Sequence, residues 1–267
     1  MTKAVDPATI TVIIPVYGDE APLRQLLTML CAMSVDEIIV AKAQAPDAAS
    51  TAVPTAQAPL CQHPPHIDGP TLRWLQSQKG RGIQIAHAAA AATSDIIWIV
   101  HADSTVPNDA PQHIRRLMAD PMIAMGCFRL NFDHPHRILR LYSFFSRFDS
   151  ILTTFGDQGF FVRRDVFAQV GYCPRWPLFE DVAMRQSLRR LGRVEKAPIA
   201  LQTSARRFLA VGPIRTQIVN LALIIAYWLG VTPARLATLY DRFGKGRPQH
   251  LEAAETTKTK PRLAPQR

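Results

Sequence analysis

Short apolar runs and a helical repeat alternate at the start of the chain. Residues 11–16 (Thr-Val-Ile-Ile-Pro-Val) and residues 37–40 (Glu-Ile-Ile-Val) are rich in β-branched side chains, which is typical of buried strands. Between them, four leucines recur at the spacing of one helix face: Leu23, Leu26, Leu27 and Leu30. Strand, helix, strand is the βαβ unit of a parallel sheet. This part of the chain therefore predicts an α/β fold.

The same alternation continues along most of the chain. Further strands are predicted over residues 72–75, 96–100, 123–132, 159–162 and 199–201. Helices are predicted over residues 83–93, 109–119, 137–152, 165–170 and 180–191, with two more after the last strand. Residues 41–68 are rich in Ala, Pro and Gln and predict a long loop. Residues 244–267 predict a disordered basic tail.

The composition is that of a globular protein with anionic partners. Hydrophobic residues make up 48% of the 267 residues and charged residues 19%, which is enough for a sizeable core. The formal net charge of +10 favours nucleotides or anionic lipid headgroups. The sequence contains no DNA- or RNA-recognition signature, so nucleic acid is not expected as a partner.

The cysteines and the apolar segments indicate which cellular compartment the protein occupies and whether it contacts a membrane. The four cysteines are scattered and form no CxxC pair, which argues against a zinc site and favours reduced thiols in a cytoplasmic protein: Cys31, Cys61, Cys127 and Cys173. The first residues lack the apolar region of a signal peptide. Residues 218–231 are apolar but are interrupted by Asn220 and fall short of the roughly 20 residues that span a bilayer. They predict a helix that packs in the core or rests on a membrane surface.

One apolar strand breaks directly into a polar triplet. Residues 96–100 (Ile-Ile-Trp-Ile-Val) are followed by His101, Ala102 and Asp103. Ligands of open α/β sheets bind at the carboxyl ends of the strands, where a carboxylate can hold a divalent metal against a phosphate. The alternative is that Asp103 only begins a turn, because Ser, Thr and Pro follow it.

Two basic segments are candidates for phosphate binding. Residues 79–82 (Lys-Gly-Arg-Gly) precede a predicted helix, whose N-terminus and Arg81 suit a phosphate. Arg206 and Arg207 follow the last predicted strand and are either a diphosphate clamp or part of a solvated face. A solvated basic turn is the alternative for Arg81 as well.

Two further segments carry carboxylates. Glu180 and Asp181 begin a predicted helix, where acidic side chains stabilise the helix dipole or serve as a general base. Asp157 and Gln158 lie between two glycines that separate a helix from a strand. They form a simple turn or line an acceptor pocket.

Taken in order, these motifs resemble those of family 2 glycosyltransferases. The resemblance covers roughly residues 10–243 and is greatest for the small bacterial subgroup called transferase 2, rSAM/selenodomain-associated. It implies a GT-A fold in which a sugar passes from a nucleotide-diphosphate sugar to an acceptor hydroxyl, usually with inversion and a divalent metal, Mg or Mn. It also implies one domain over residues 1–243, with a nucleotide-binding half (about 10–105), an acceptor half (106–210) and C-terminal helices (211–243).

The resemblance assigns a role to each candidate. Asp103 falls at the metal-binding position and Asp181, with Glu180 beside it, at the position of the catalytic base. The nucleotide and its diphosphate are assigned to Pro15, Tyr17, Arg81, Ala102, Arg206 and Arg207. The acceptor is assigned to Asp157, Gln158 and Trp176. The protein is expected in the cytoplasm, with peripheral membrane contact through the C-terminal helices as an alternative to their packing in the core.

The second strand departs from the family pattern. It normally ends in an Asp-containing motif that grips the nucleotide, but here it continues as Ala41-Lys42-Ala43, with Asp47 and Asp68 as possible substitutes. A binding or regulatory protein without catalysis is therefore an alternative function. A nucleotidyltransferase is a further one, although residues 17–20 (Tyr-Gly-Asp-Glu) lack the basic Gly-rich signature expected after its first strand.

Overall fold

A seven-stranded sheet forms the centre of the computed structural model, which describes residues 7–17, 21–43 and 69–243. The strands are β1 (Ile10–Val16), β2 (Glu37–Ala43), β3 (Thr71–Ser77), β4 (Ile96–Ile99), β5 (Ile123–Phe132), β6 (Phe161–Arg163) and β7 (Arg193–Thr203). Their order across the sheet is β3-β2-β1-β4-β6-β5-β7. Only β6 runs antiparallel to its neighbours β4 and β5, so six strands end at the same edge. The predicted α/β class with a mostly parallel sheet is confirmed.

Nine helices accompany the sheet among the described residues. They are α1 (Ala21–Cys31), α2 (Arg81–Ala91), α3 (Ala110–Met118), α4 (Arg137–Phe145), α5 (Arg164–Gln169), α6 (Glu180–Arg189), α7 (Arg206–Val211), α8 (Pro213–Trp228) and α9 (Pro233–Phe243). Helices α1 and α3 pack on one face of the sheet, and α2, α5 and α6 pack on the other. The four leucines of the predicted helix face are all buried in α1. A single 3₁₀ turn, Gly156–Gln158, leads into β6.

The largest differences from the predicted bounds concern helix α4, strand β7 and the C-terminal helices. Helix α4 ends at Phe145 and not at residue 152, because the Ser146 hydroxyl accepts the N–H of Leu130 and donates to the carbonyl of Ser143. Strand β7 begins at Arg193, well before residue 199, because an edge strand tolerates charged side chains and Pro198. Gly212, at φ 95°, and Pro213 separate α7 from α8, so three helices follow β7 where two were predicted.

The loop predicted over residues 41–68 begins later than expected, because residues 41–43 complete β2. Residues 44–68, including Asp47 and Asp68, lie outside the described residues, and so does the predicted tail 244–267. No helix in the described part of the chain has the length and apolarity to cross a membrane.

The cysteines only partly follow the prediction of reduced thiols. Cys127 and Cys173 are free and buried. Cys31 is disulfide-bonded, so the prediction is wrong for that residue. Burial raises the pKa of Cys127 to about 11 and raises that of Cys173 as well. Both described free thiols therefore stay protonated at neutral pH, which makes them poor nucleophiles.

Candidate active site

Arg81 joins three elements at the carboxyl edge of the sheet. It is the first residue of α2, and its Nε donates to Oε1 of Glu180 at the start of α6. Its Nη2 lies 3.3 Å from Oδ2 of Asp181, and its Nη1 lies 3.4 Å from Nε2 of His101, just past β4. The guanidinium therefore brings together three of the segments singled out in the sequence. About 38% of the Arg81 side chain remains exposed, so it is also open to a ligand.

The two carboxylates beside Arg81 differ in their surroundings. The Glu180 side chain is only 3% exposed and is directed at Arg81. The Asp181 side chain is 11% exposed, and its Oδ2 accepts the N–H of Gly156 at 2.8 Å as well as facing Arg81. Its Oδ1 accepts the N–H of Val182 at 2.8 Å. Asp181 is thus held in a fixed orientation from two sides, by its own helix and by the turn before β6.

Charge pairing keeps Arg81 ionised. Burial by itself would lower the pKa of Arg81, but the carboxylates of Glu180 and Asp181 outweigh it and raise that pKa. Burial raises the pKa of Glu180, although the cation of Arg81 opposes the shift. The cation of Arg81 is therefore the main group that favours the charged form of this buried glutamate.

Close backbone packing positions the carboxylates. A Cβ on Gly82 would lie 2.1 Å from the carbonyl oxygen of Pro174 and 3.2 Å from Cβ of Glu180, so only glycine fits between α2 and the segment before α6. Phe179, the residue before Glu180, has φ 61°. A non-glycine residue in this left-handed conformation carries strain of about 1–3 kcal/mol. Such strain is most often retained at functional sites.

The end of β4 presents the candidate metal ligand. His101 and Ala102 are half-buried, and Asp103 is exposed to solvent. In the described part of the chain, no group of three or more His, Cys, Asp or Glu side chains could hold a metal ion alone. An exposed carboxylate nevertheless suits Mg²⁺ or Mn²⁺, since Mg²⁺ commonly binds one or two carboxylates and takes further ligands from substrate phosphates. The residues present therefore fit a metal that is shared with a diphosphate.

Tyr17 lies beside a second cation at the same edge. Its hydroxyl accepts a hydrogen bond from Nζ of Lys79 at 3.0 Å, and the same nitrogen lies 4.3 Å from the centre of the tyrosine ring. Pro15 is half-buried in β1, opposite Ala41 of β2. The contact with Lys79 places Tyr17, which directly follows β1, next to the basic loop at residues 79–82.

The other predicted residues are more dispersed. Gln158 is fully buried; its amide nitrogen donates to the carbonyl of Thr153, and its oxygen accepts from Lys196. It therefore holds the turn together through these contacts, and its assignment to the acceptor stays a prediction. Asp157 is half-buried in that turn, and Trp176 is 37% exposed with its ring 6.4 Å from that of Tyr227.

The predicted arginine pair lies at the start of α7. Arg206 is exposed, and its backbone N–H donates to the Ser204 hydroxyl. The side chain of Arg207 lies outside the described residues. Within the described residues, no hydrogen bond or ion pair joins Arg206 to Arg81 or to the carboxylates of α6, so its assignment to the diphosphate stays a prediction.

Gln84 is a site-building residue that the sequence analysis missed. Its side chain is buried, and its amide nitrogen donates to the carbonyls of Val16 at 2.8 Å and Ala41 at 2.6 Å. It thereby fixes the carboxyl ends of β1 and β2 side by side, next to the missing aspartate motif. The only signal in the sequence is a glutamine on the apolar face of an Ala-rich helix.

Comparisons with known proteins agree with this arrangement. A family model described as Glycosyl transferase family 2 matches residues 11–171. No curated protein matches the chain significantly. Among solved structures, the mannosyltransferase PcManGT from Pyrobaculum calidifontis is 16% identical with a TM-score of 0.57, over 94% of this chain and 80% of that one. TarS 1-349 from S. aureus is 14% identical with a TM-score of 0.56, over 79% of this chain and 66% of that one.

The chain thus spans slightly less than two thirds of the TarS fragment. At these identities, the likeness to both structures establishes the fold, which is GT-A. The family model covers more than half of the sequence, including β1, the basic loop, the end of β4 and the turn before β6. The chain therefore belongs to glycosyl transferase family 2.

Proposed function

We propose that this protein transfers a sugar from a nucleotide-diphosphate sugar to an acceptor hydroxyl, with inversion at the anomeric carbon and with a divalent metal. The observation that carries the proposal is the position of Asp181. Its carboxylate is fixed by two backbone N–H groups and lies 3.3 Å from a guanidinium that is itself open to solvent. A base and a cation thus lie side by side at the ligand-binding edge of the sheet.

In the proposed reaction, Asp181 removes the proton of the acceptor hydroxyl. The oxygen forms a bond to the anomeric carbon as the bond from that carbon to the diphosphate oxygen breaks. Attack from the face opposite the diphosphate inverts the configuration. The electron pair of the broken bond stays on the nucleoside diphosphate, and Asp181 passes its proton to water.

The leaving group gains negative charge, which this chain's cations stabilise. Arg81 is placed to donate to the diphosphate with its exposed edge. Asp103 would hold the metal, with His101 beside it, and a bound divalent ion supplies Lewis-acid stabilisation of the diphosphate. Glu180 is buried against Arg81. Its proposed role is therefore to hold that arginine, and it is not a second base.

The neighbours support the reaction class but do not specify the substrate. PcManGT was solved with GDP-Man and Mn²⁺, and the TarS fragment with UDP-GlcNAc. Two different bases and sugars therefore occur on this fold. The donor of the present chain is proposed only as a nucleotide-diphosphate sugar.

Four finer points belong to the same proposal. The motif order supports membership of the bacterial transferase 2, rSAM/selenodomain-associated subgroup. The same resemblance supports a cytoplasmic location. Exposed apolar residues on α8 support peripheral contact with a membrane. The division into a nucleotide half, an acceptor half and C-terminal helices is proposed with the fold.

The alternative is a protein of the same fold that binds its ligand without turnover. It is favoured by the end of β2, where Lys42 and Ala43 stand in place of the aspartate motif. The two proposals differ in whether a donor is consumed and in whether Asp181 matters for that consumption.

A thermal-shift screen of nucleoside diphosphates with and without Mn²⁺ tests donor binding. We expect the diphosphate of one nucleoside to raise the melting temperature, and only when Mn²⁺ is present. Asp103→Asn should abolish that rise. Asp109→Asn is the matched control, because Asp109 is an exposed aspartate that precedes α3 and pairs with His113. A rise that is independent of the metal, or that survives in Asp103→Asn, would contradict the assigned metal site.

A further inference from the structure

A basic groove lies apart from the candidate active site, between helix α4 and the strands β5 and β7. We call it the β5–α4 groove. Its volume is about 830 Å³, and its walls come from the ends of β5 and β7, the loop at residues 133–135, and α4 with the turn that follows it. None of the residues assigned above to the donor, the metal or the base lines it.

The groove has a marked excess of cations. Arg129, Arg140 and Arg147 line it, against one acidic residue, Asp133. The Asp133 carboxylate already accepts the backbone N–H of Ala205 at 2.7 Å, so it is tied to the start of α7. Three guanidinium groups and one occupied carboxylate favour an anionic occupant.

Arg129 is unusual because part of its polar group lacks a partner. Its Nε is buried and has no hydrogen-bond partner among the described residues. A buried donor without a partner costs about 1–3 kcal/mol, so such groups are normally satisfied. Arg129 lines the groove from strand β5, where an anion within the groove would lie against its guanidinium.

The rim on the α4 side is already ordered. The guanidinium carbon of Arg147 lies 4.2 Å from the centre of the Phe144 ring, and its Nε donates to the Phe144 carbonyl. Arg140 is exposed one turn before Phe144 on the same helix. The stacking restrains Arg147, while no hydrogen bond from the described residues occupies its terminal nitrogens, which lowers the entropic cost of binding.

We infer that the β5–α4 groove is a binding site for a phosphate-bearing group. Guanidinium groups match the oxygens of a phosphate in bidentate geometry, and three of them surround this groove. The groove also adjoins the loop of the metal ligand, since Gln202 in its wall exchanges two backbone hydrogen bonds with Thr105, two residues after Asp103. The phosphate group can belong to a soluble molecule or to a lipid headgroup.

Calorimetric titration of the purified chain with glycerol phosphate and with inorganic phosphate tests the site. We expect binding that is about tenfold weaker or more in the double variant Arg140→Gln/Arg147→Gln, because each guanidinium contributes charge-assisted hydrogen bonds. The charge-matched control is Arg24→Gln/Arg116→Gln, which removes two exposed arginines from α1 and α3. It should bind within about twofold of the wild type, since those helices do not line the groove.

A third variant, Arg81→Gln, separates this groove from the donor site. Loss of phosphate binding in Arg81→Gln with retention in the groove variant would place the phosphate at the donor site and overturn the proposal. Arg129→Gln, checked for an unchanged melting temperature, should weaken binding in the same way as Arg140→Gln/Arg147→Gln. Donor turnover is measured separately, so failure of the groove and failure of the proposed sugar transfer are distinguishable.

Vesicle binding identifies the source of the phosphate. Co-sedimentation with phosphatidylcholine vesicles that contain phosphatidic acid, compared with phosphatidylcholine alone, is measured for the same variants. Binding of the soluble probes that depends on the groove supports a soluble ligand. Groove-dependent binding of the phosphatidic acid vesicles alone supports a lipid headgroup. Absence of both, or binding that the groove variants leave unchanged, overturns the inference.

Discussion

Arg81 determines the charge balance of the candidate active site at the scale of single residues. Its one guanidinium contacts Glu180, Asp181 and His101, and it is the main group that opposes the effect of burial on the pKa of Glu180. The residue types at these positions were predictable from local motifs. Their pairing was not, because 99 residues separate Arg81 from Glu180 along the chain.

Removal of this cation has a consequence for stability that depends on pH. In Arg81→Gln, the pKa of Glu180 should rise further above its ordinary value of 4.5, because the main interaction that opposes the effect of burial is then lost. Between the ordinary pKa of a glutamate and the raised pKa of Glu180, the folded state binds more protons than the unfolded chain. The free energy of unfolding therefore falls as the pH rises through that range. We expect the loss of melting temperature in Arg81→Gln to grow between about pH 5 and about pH 8.

Arg193→Gln is the control for that titration. It removes a surface ion pair with Asp120, in which the Arg193 side chain is 56% exposed. An exposed pair contributes about 0–1 kcal/mol, so its effect should be small across the same range of pH. A constant difference between wild type and Arg81→Gln would show that Glu180 does not depend on Arg81.

At the scale of elements, the site depends on how closely α2 approaches the start of α6. The hydrophobic patterns predicted both helices within about two residues, since helical periodicity is a local property. The same reasoning placed the end of α4 seven residues too late, because Ser146 terminates it through a contact with β5. The need for glycine at position 82 could not be predicted either, because it comes from the carbonyl of Pro174, which is distant in the sequence.

Gly82→Ala tests this packing directly. The added Cβ would meet the Pro174 carbonyl at 2.1 Å, so α2 or the segment before α6 must move. We expect a loss of stability of about 1–3 kcal/mol and a larger loss of turnover, because Arg81 and Glu180 move apart. Chemical denaturation and a turnover assay measure the two effects. His87→Ala, an exposed change on the same helix, should alter neither, and a fully active Gly82→Ala would refute the packing argument.

Helix α8 presents a second face that lacks a described partner in the fold. Leu223 and Ile224 are buried, while an apolar stripe along the helix is exposed: Ile214, Ile218, Leu221, Ile225 and Trp228. The apolar pattern of α8 is compatible with core packing and with membrane contact. The two buried residues are explained by core packing, but the exposed stripe is not. Such a stripe, in a chain of net charge +10, suits an anionic membrane surface.

Flotation with anionic vesicles at low salt tests the stripe on α8. Wild type should float, and Ile218→Gln/Leu221→Gln should stay at the bottom of the gradient, because apolar area on the helix drives binding. Met122→Gln/Leu191→Gln is the control, since both residues are exposed and neither belongs to α8. Wild type that does not float, or a stripe variant that floats equally well, would exclude membrane contact through this helix.

At the scale of the whole molecule, the fold brings segments from the entire chain to one edge of the sheet. The α/β class followed from alternating strands and helices, but the order β4-β6-β5 did not, because β6 has only three residues and runs antiparallel. That short strand places Gly156 beside Asp181, which the sequence alone could not indicate.

Turnover of nucleotide-diphosphate sugars by wild type and Asp181→Asn, with Mn²⁺ or Mg²⁺, tests the central claim most directly. Release of nucleoside diphosphate is measured for a panel of donors. Asp165→Asn is the control, because Asp165 also accepts the N–H of the following residue at 2.8 Å in the first turn of a helix. We predict turnover of one donor by wild type and Asp165→Asn, and a loss of at least about a hundredfold in Asp181→Asn. Equal turnover in Asp181→Asn, or no turnover of any donor by the wild type, would contradict the account.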